Sequence, residues 1–212
     1  MMNTLLNACV RELGVMADGF PWEDRRAYAD WLAQTYYYVR HTTRLLAAAA
    51  SRFALDERGN AVHHRFAAHM GEEKKHELLA IHDLKQLNAS IERFPEHAST
   101  RMFYEPQYYK IEHLGPMVPF GYILPLEAIG PACGKRVIER ITGVHGPKCV
   151  SFVRLHSDED PDHLQKAIHA IEDVSAVERA HIEDNMRQTT FAYGVILSDI
   201  KRNRNLEPPV LE

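Results

Sequence analysis

The segment from Trp22 to Leu55 contains neither glycine nor proline and is rich in alanine. Because it lacks both of the strongest helix breakers, it predicts one long helix that starts just after Pro21. Glu23 and Asp24 then fall in the first turn, where acidic side chains interact favourably with the helix dipole. A chain that contains such a segment is expected to be built mainly from helices.

Helical periodicity continues beyond this segment. It predicts further helices over the ranges 61–87, 99–114 and 121–142. Prolines and glycines inside the last of these ranges predict bends or breaks. No segment alternates between apolar and polar residues in the manner of a strand. We therefore predict an all-α, single-domain helical bundle over residues 1–203, followed by a flexible tail over 204–212.

The C-terminal part contains a start signal for a further helix. Asp160 precedes Pro161, and an aspartate followed by proline is typical of an N-cap and the first helical position. We expect the last helix to run from Asp162 to about Arg202, with one break or kink. Asp160 would then cap this helix and still have one carboxylate oxygen free for another contact.

Composition excludes several classes of protein. The chain has 25 basic and 29 acidic residues, and a net charge of −4 does not predict binding to nucleic acid or to an anionic membrane. No apolar run approaches the length of a transmembrane helix. The three cysteines lack the close spacing of a zinc knuckle, and the N-terminus lacks the features of a secretory signal. We expect a cytoplasmic protein.

Histidine is the enriched residue type, with 13 in 212 residues, and it is the commonest metal ligand. His69, Glu73 and His76 follow one another at intervals of four and three, which predicts that they share one face of a helix. Glu73 and His76 form the Glu-x-x-His pair that di-iron carboxylate bundles use. The alternative is an exposed, charged turn without a ligand.

A second triplet, His156, Asp160 and His163, has the same spacing. Two imidazoles and a carboxylate suit iron, manganese or zinc, whereas calcium requires oxygen ligands. The alternative is that Asp160 serves only as the N-cap described above. The triplet is therefore a second candidate for metal ligation.

Glu127 is the third candidate because it lies in an apolar stretch, LPLEAIG. Burial of an unpaired carboxylate is costly, so Glu127 is expected to contact a metal, another cation or hydrogen-bond donors. Its alternative partner is an arginine, and three arginines are candidates: Arg40, Arg136 and Arg140. Together the three motifs supply about six carboxylate and imidazole ligands, as a two-metal site needs.

The order of these motifs resembles the heme-oxygenase-like di-metal oxidases, in the iron-containing redox enzyme branch near the TenA-type proteins. The resemblance rests on HMGEEKKHELLAIHDLKQLN, LPLEAIG and FVRLHSDEDPDHLQKAIHAI, within about residues 61–169. It implies the heme-oxygenase-like (TenA-type) bundle. Some members carry a glutamate at the position of His69, which makes His69 a reserve ligand. The metal ligands that the resemblance implies are Glu73, His76, Glu127, His156, Asp160 and His163.

The resemblance also implies a function: a non-heme iron oxidase or oxygenase that uses two iron ions, or manganese instead, to activate dioxygen on a small-molecule substrate. A homodimer is expected on the same basis. Two alternatives stay open: a metal-free enzyme, similar to TenA or to enzymes of PQQ synthesis, that uses His and Glu for acid–base chemistry, and a non-catalytic helical interaction protein. We expect substrate contacts from five residues: Tyr36, Tyr37, Arg40, Tyr122 and Phe152.

Overall fold

The computed structural model describes residues 2–204, apart from the side chains of 159–162. In this part the chain forms helices and turns and no strand, which confirms the all-α, single-domain prediction. Residues 205–212 of the predicted tail lie outside the described residues. The α-helices are α1 (Met2–Asp18), α2 (Arg25–Val39), α3 (Thr42–Ala50), α4 (Glu57–Glu72), α5 (Glu77–Gln86), α6 (Ala98–Leu114), α7 (Phe120–His145), α8 (Ser151–Ala170) and α9 (Ala176–Asn203).

Helix α7 lies at the centre of the bundle and packs against α1, α8 and α9. Around it, α2 packs against α5, and α3 packs against α4. Large side chains that are almost completely buried fill the space between these helices, among them Tyr28, Phe66 and Phe120. Among the described residues, no helix is both long enough and apolar enough to cross a membrane.

The single helix predicted over 22–55 is wrong, because the structure divides it into α2 and α3 at Arg40 and His41. The His41 ring stacks on Tyr104 with 3.9 Å between ring centroids, a contact that the local sequence does not contain. Asp24 precedes α2 as its N-cap and accepts hydrogen bonds from two backbone N–H groups in the first turn.

The helix predicted over 61–87 is also divided. Helix α4 already begins at Glu57, where Asp56 accepts a hydrogen bond of 2.7 Å from the backbone N–H of Gly59. It ends at Glu72, and a tight turn leads to α5. In this turn Lys75 adopts a left-handed conformation, with φ of 72°, that no helix can contain.

Helix α7 is continuous, so the breaks predicted within 121–142 are wrong. Pro125 and Pro131 each remove one backbone hydrogen bond, but the helix is buried against three others, and this packing outweighs the loss. Two glycines permit close packing: Gly121 lies against the backbone of α9, and Gly134 lies against Ser157 of α8.

The predicted start of the last helix is wrong as well. Helix α8 runs without interruption through position 160, so Asp160 does not mark a helix start, and the next helix begins only at Ala176. Its N-cap is Ser175, which forms a reciprocal pair of hydrogen bonds with Glu178, a capping box. Helix α1, over Met2–Asp18, is a further element that the sequence pattern did not predict.

Candidate metal centre

Histidine and glutamate side chains meet in two groups where the α4–α5 turn faces α7 and α8. In each group, every member offers a ligand atom within 4.8 Å of those of the others. The first group contains His69, Glu73, Glu127 and His163, and the second contains Glu73, His76 and His156. Glu73 belongs to both groups.

The turn after α4 positions three of these residues. His69 lies in the last turn of α4, and the backbone N–H of Glu73 donates to the His69 carbonyl over 2.9 Å. The N–H of His76 then donates to the Glu73 carbonyl over 3.3 Å. The predicted continuous helix is therefore wrong here, although the compact turn still brings all three side chains together.

The other ligand candidates come from α7 and α8. Glu127 projects from the buried side of α7, and His156 and His163 lie about two turns apart on α8. The two helices approach closely because Gly134 of α7 has no side chain where Ser157 of α8 packs. The side chain of Asp160, the remaining predicted ligand, lies outside the described residues.

The two carboxylates lie between imidazoles. Glu127 Oε1 is 3.1 Å from His69 Nε2, and Glu127 Oε2 is 3.4 Å from His163 Nδ1. Glu73 Oε1 is 3.4 Å from His69 Nε2, and Glu73 Oε2 is 3.4 Å from His76 Nδ1. Each carboxylate oxygen therefore faces at least one histidine, and Glu73 Oε1 also lies 4.0 Å from His163 Nδ1.

The arginines considered as partners of Glu127 pair with other residues. Arg136 contacts Asp18 at 3.2 Å, Arg140 contacts Glu23 at 2.6 Å, and Arg40 lies 3.7 Å from Glu96. Among the described residues, the cationic neighbours of Glu127 are histidines. The alternative in which an arginine neutralises Glu127 is therefore wrong.

Four nitrogen and oxygen atoms that could bind a metal are buried in the centre without a hydrogen-bond partner. They are His69 Nε2, His76 Nδ1, Glu127 Oε2 and His163 Nδ1. The distances between them are short, but the angles are not those of hydrogen bonds. A buried unsatisfied polar atom costs on the order of 1–3 kcal/mol, so four in one place indicate that a ligand completes the site. Imidazoles and carboxylates together fit iron, manganese or zinc.

The carboxylates of the centre are ionised and ready to bind a cation. Burial alone would raise the pKa of Glu73 and Glu127, but the neighbouring imidazoles hold both pKa values below the ordinary value. Burial alone would lower the pKa of His69, but the two carboxylates raise it to about 9. Contact with Glu127 raises the pKa of His163, whereas burial lowers the pKa of His156.

A second layer of contacts fixes the orientation of the α8 histidines. His156 Nδ1 donates to the Phe152 carbonyl over 2.9 Å, which leaves Nε2 as the atom available for ligation. His163 has Nδ1 towards Glu127 and Nε2 at 3.5 Å from Glu72. Such outer contacts are a regular feature of metal-binding histidines.

A cavity of about 130 Å³ adjoins the centre, and His69, Glu73, Glu127 and His156 form part of its wall. Of the predicted substrate contacts, Tyr122 and Phe152 line this cavity. Tyr36, Tyr37 and Arg40 do not: the Arg40 guanidinium lies over the two rings at 5.7 and 5.2 Å instead.

The structure raises one reserve ligand to full membership and adds cavity residues that the sequence did not single out. His69, predicted only as a reserve ligand, is a full member of the first group. Trp31, Tyr38 and Tyr193 line the cavity. Tyr38 stands in a row of three tyrosines, and the sequence contains no signal that separates it from its two neighbours.

A heme-oxygenase-like helical bundle with a buried histidine–glutamate centre is the class of protein that these features define. Comparison with known proteins supports it. The chain belongs to the iron-containing redox enzyme family, whose sequence profile matches residues 29–193. Among curated proteins, none matches the sequence significantly.

Solved structures share the fold. The chain is similar to a domain of unknown function with a heme oxygenase-like fold from Shewanella denitrificans OS217, with a TM-score of 0.86 and 17% identity over 97% of this chain and 94% of that one. It is also similar to a TenA homolog from Pseudomonas syringae pv. tomato strain DC3000, with a TM-score of 0.78 and 10% identity over 94% and 92% of the two chains. At these identities the likeness shows the fold, which confirms the heme-oxygenase-like prediction.

Proposed function

We propose that this protein is a non-heme iron oxidase that acts with dioxygen on a small molecule. The observation that carries the proposal is the set of buried donor atoms without hydrogen-bond partners, from α4, α7 and α8 and the turn after α4, around two carboxylates. Membership of an iron-containing redox enzyme family supports iron as the metal. Manganese has similar ligand preferences and is the alternative ion.

The proposed ligands divide between two positions. His69, Glu73, Glu127 and His163 would hold one ion, and Glu73, His76 and His156 would hold a second. Asp160 stays a predicted ligand from its place in the triplet with His156 and His163. Ferrous iron bound there would supply the electrons for reduction of dioxygen, which no protein side chain provides.

The chain's own residues have three tasks in this proposal. The two carboxylates balance the charge of bound cations, and the imidazoles complete the coordination with neutral donors. The contacts of His156 with Phe152 and of His163 with Glu72 hold these rings in place. The adjoining, largely apolar cavity would hold the substrate beside the centre.

Iron content of variants tests the proposal. We would load protein with ferrous iron under anaerobic conditions, remove free metal and measure bound iron. The wild type is expected to retain about two ions per chain. Glu127→Gln and His156→Ala each alter one group and are expected to retain about one, and Glu73→Gln alters both groups and should retain the least. Glu139→Gln, an exposed position on α7, is the matched control and should bind as the wild type does.

The outcomes separate the alternatives. If the wild type binds no more iron or manganese than Glu73→Gln does, the oxidase proposal fails, and metal-free acid–base chemistry or a non-catalytic role gains. If binding depends on Glu127 but not on His156, a single-ion centre replaces the two-ion proposal. Uptake of dioxygen by the iron-loaded wild type, absent from Glu73→Gln, would support the assignment to an oxidase.

A further inference from the structure

We propose that Asp83 is a positioning residue of the metal centre: it caps the start of α8 from the neighbouring helix α5, fixes Phe152 there, and through Phe152 fixes the ring of His156. This inference deepens the proposed function, on which it rests for metal binding but not for the placement of the ring. It assigns a role to a buried carboxylate that is not among the proposed ligands.

Helix α8 has no N-cap from its own segment of the chain. Val150 precedes it, and a valine side chain has no oxygen that could accept from the first backbone N–H groups. The acceptor comes from α5 instead, where Asp83 Oδ2 accepts from the Phe152 N–H over 2.9 Å. The start of α8 is therefore held by a different helix.

Asp83 is completely buried, and its other oxygen, Oδ1, has no hydrogen-bond partner. Burial raises the pKa of this carboxyl group, while hydrogen bonds with Phe152 and Ser151 oppose the rise. Burial of a carboxyl group is costly. An apolar side chain would avoid this cost but could not accept from the Phe152 N–H, so the cap is what Asp83 contributes at this position.

Phe152 transmits this restraint to His156. His156 Nδ1 donates to the Phe152 carbonyl over 2.9 Å, and the two ring centroids lie 4.2 Å apart. Both contacts depend on where the Phe152 backbone lies, and Asp83 holds that backbone through its N–H group. Because His156 belongs to the second group of the centre, the restraint acts on a proposed ligand.

Helix α5 also positions a second ligand of the same group. His76 directly precedes the first residue of α5, and Asp83 follows seven positions later, about two turns away. The ring centroids of His76 and His156 lie 5.3 Å apart. Helix α5 therefore supplies one imidazole directly and holds the other through the start of α8, which fixes the spacing between them.

The His156 ring in metal-free protein gives the first test. Nitrogen chemical shifts, measured at about pH 8 where free imidazole is neutral, identify which ring nitrogen carries the proton. We expect the proton on Nδ1 in the wild type and in Asp83→Asn, because asparagine caps helices about as well as aspartate does. Asp83→Ala removes the acceptor, so its His156 signals should shift and show both neutral forms.

Asp24→Ala is the matched control for this substitution. Asp24 accepts from the backbone N–H groups of Arg26 and Ala27 as the N-cap of α2, a helix that carries none of the proposed ligands. Its loss should also lower stability, but it should leave the His156 signals as they are in the wild type. The ring signals therefore separate a positioning role from a general loss of stability.

Metal affinity gives the second test, with Mn²⁺ as the probe. Asp83→Ala is expected to weaken the binding of one of the two proposed ions roughly ten- to a hundredfold, as loss of an outer contact commonly does. Asp83→Asn should stay within about threefold of the wild type because it keeps the acceptor. Asp24→Ala should bind as the wild type does.

Hydrogen exchange of the wild type supplies a test that does not require Asp83→Ala to fold. If the Asp83–Phe152 contact favours metal binding, metal binding favours that contact by the same amount. Zn²⁺, which has similar ligands and is not paramagnetic, should therefore slow exchange of the Phe152 amide more than that of the Ala27 amide, which Asp24 caps. Equal slowing of the two amides would overturn the inference.

Four further results would overturn it: unchanged His156 signals in Asp83→Ala, an equal disturbance of these signals in Asp24→Ala, an Asp83→Asn variant that behaves as Asp83→Ala does, or an Mn²⁺ affinity that Asp83→Ala does not change. If the wild type binds no metal, the proposed function fails, while the ring signals of metal-free protein still decide whether Asp83 positions His156. The two proposals can therefore fail separately.

Discussion

His163 Nε2 lies 3.5 Å from a carboxylate oxygen of Glu72, while Nδ1 of the same ring lies 3.4 Å from Glu127. The imidazole is thus held between a buried carboxylate of the centre and a half-buried carboxylate outside it. Arg65 and Lys166 contact Glu72 at 3.2 and 3.4 Å and fix its position in turn. We therefore predict that Glu72 positions the His163 ring and acts on the centre through it.

Glu72→Gln is expected to weaken Mn²⁺ binding about tenfold, because loss of an outer carboxylate commonly costs ten- to a hundredfold in metal affinity. Equilibrium dialysis measures this affinity, and thermal unfolding of metal-free protein shows whether the fold is kept. Glu139→Gln removes an exposed carboxylate from α7 and serves as the control. Equal affinities for the two variants would show that the Glu72–His163 contact does not matter for binding.

Gly121→Ala is expected to destabilise the protein by about 2 kcal/mol or more, because there is no room for a Cβ between α7 and α9. The added atom would lie 2.8 Å from Asn185 Cβ and even closer to the Ile182 carbonyl oxygen. Gly143→Ala in the same helix meets nothing within 4 Å and should be neutral or stabilise by up to about 1 kcal/mol. Urea unfolding of both variants compares them, and similar losses in both would contradict the close approach of α7 and α9.

Lys110→Met is expected to stabilise the protein at pH 7. Burial lowers the pKa of Lys110 to about 8, and its ammonium contacts Asn185 Oδ1 in the core. Since the unfolded chain holds this proton more tightly, the wild type loses stability as pH falls from about 10 to 8. Asn185 Oδ1 still accepts from Gln107 over 3.0 Å in the variant, so it keeps a donor.

The measurement for Lys110 is the free energy of unfolding as a function of pH. The advantage of Lys110→Met over the wild type should be on the order of 2–3 kcal/mol at pH 7 and should shrink towards pH 10. Lys135→Met, at an exposed lysine, should show no such trend. An advantage that does not change between pH 7 and pH 10 would mean that the Lys110 pKa is not lowered by folding.

Lys75→Gly is expected to raise the free energy of unfolding by up to about 1 kcal/mol. Glycine adopts a φ of 72° without the steric cost that lysine has there. This gain in free energy exceeds the loss that comes from the greater entropy of glycine in the unfolded chain. Lys74→Gly, the adjacent exposed position without a positive φ, should instead destabilise. Chemical unfolding of both variants measures the difference, and a loss of stability in Lys75→Gly would show that the turn does not require this conformation.

The sequence predicts the class of fold because apolar periodicity is a property of each helix by itself. It does not predict where long helical segments divide. No glycine or proline marks the division at Arg40 and His41, although the flanking Val39 and Thr42 have only moderate helix propensity. The contact that accompanies the turn is the stacking of His41 on Tyr104, more than sixty positions further along the chain. The opposite error occurs in α7, where local signals predict breaks and burial keeps the helix whole.

The candidate site was more predictable than the helix ends. Spacings of four and three bring His69, Glu73 and His76 together, and the tight turn after α4 preserves that proximity. Which residues share an ion depends on how α4, α7 and α8 pack, and this information is not local. Asp160 shows the same limit, since its neighbour Pro161 predicted a helix start at a position that lies inside α8.

Glu73 contacts His69 with one oxygen and His76 with the other, so neither group of the centre can change without altering the other. A movement of this carboxylate towards one side also changes its distance from the other side. If an ion on one side changes the binding free energy of an ion on the other side, the second ion changes the binding free energy of the first by the same amount, because such coupling is reciprocal. Under the proposed two-ion occupancy, the two halves of the centre would therefore act as a single cooperative unit, in which one shared side chain governs the half-filled state.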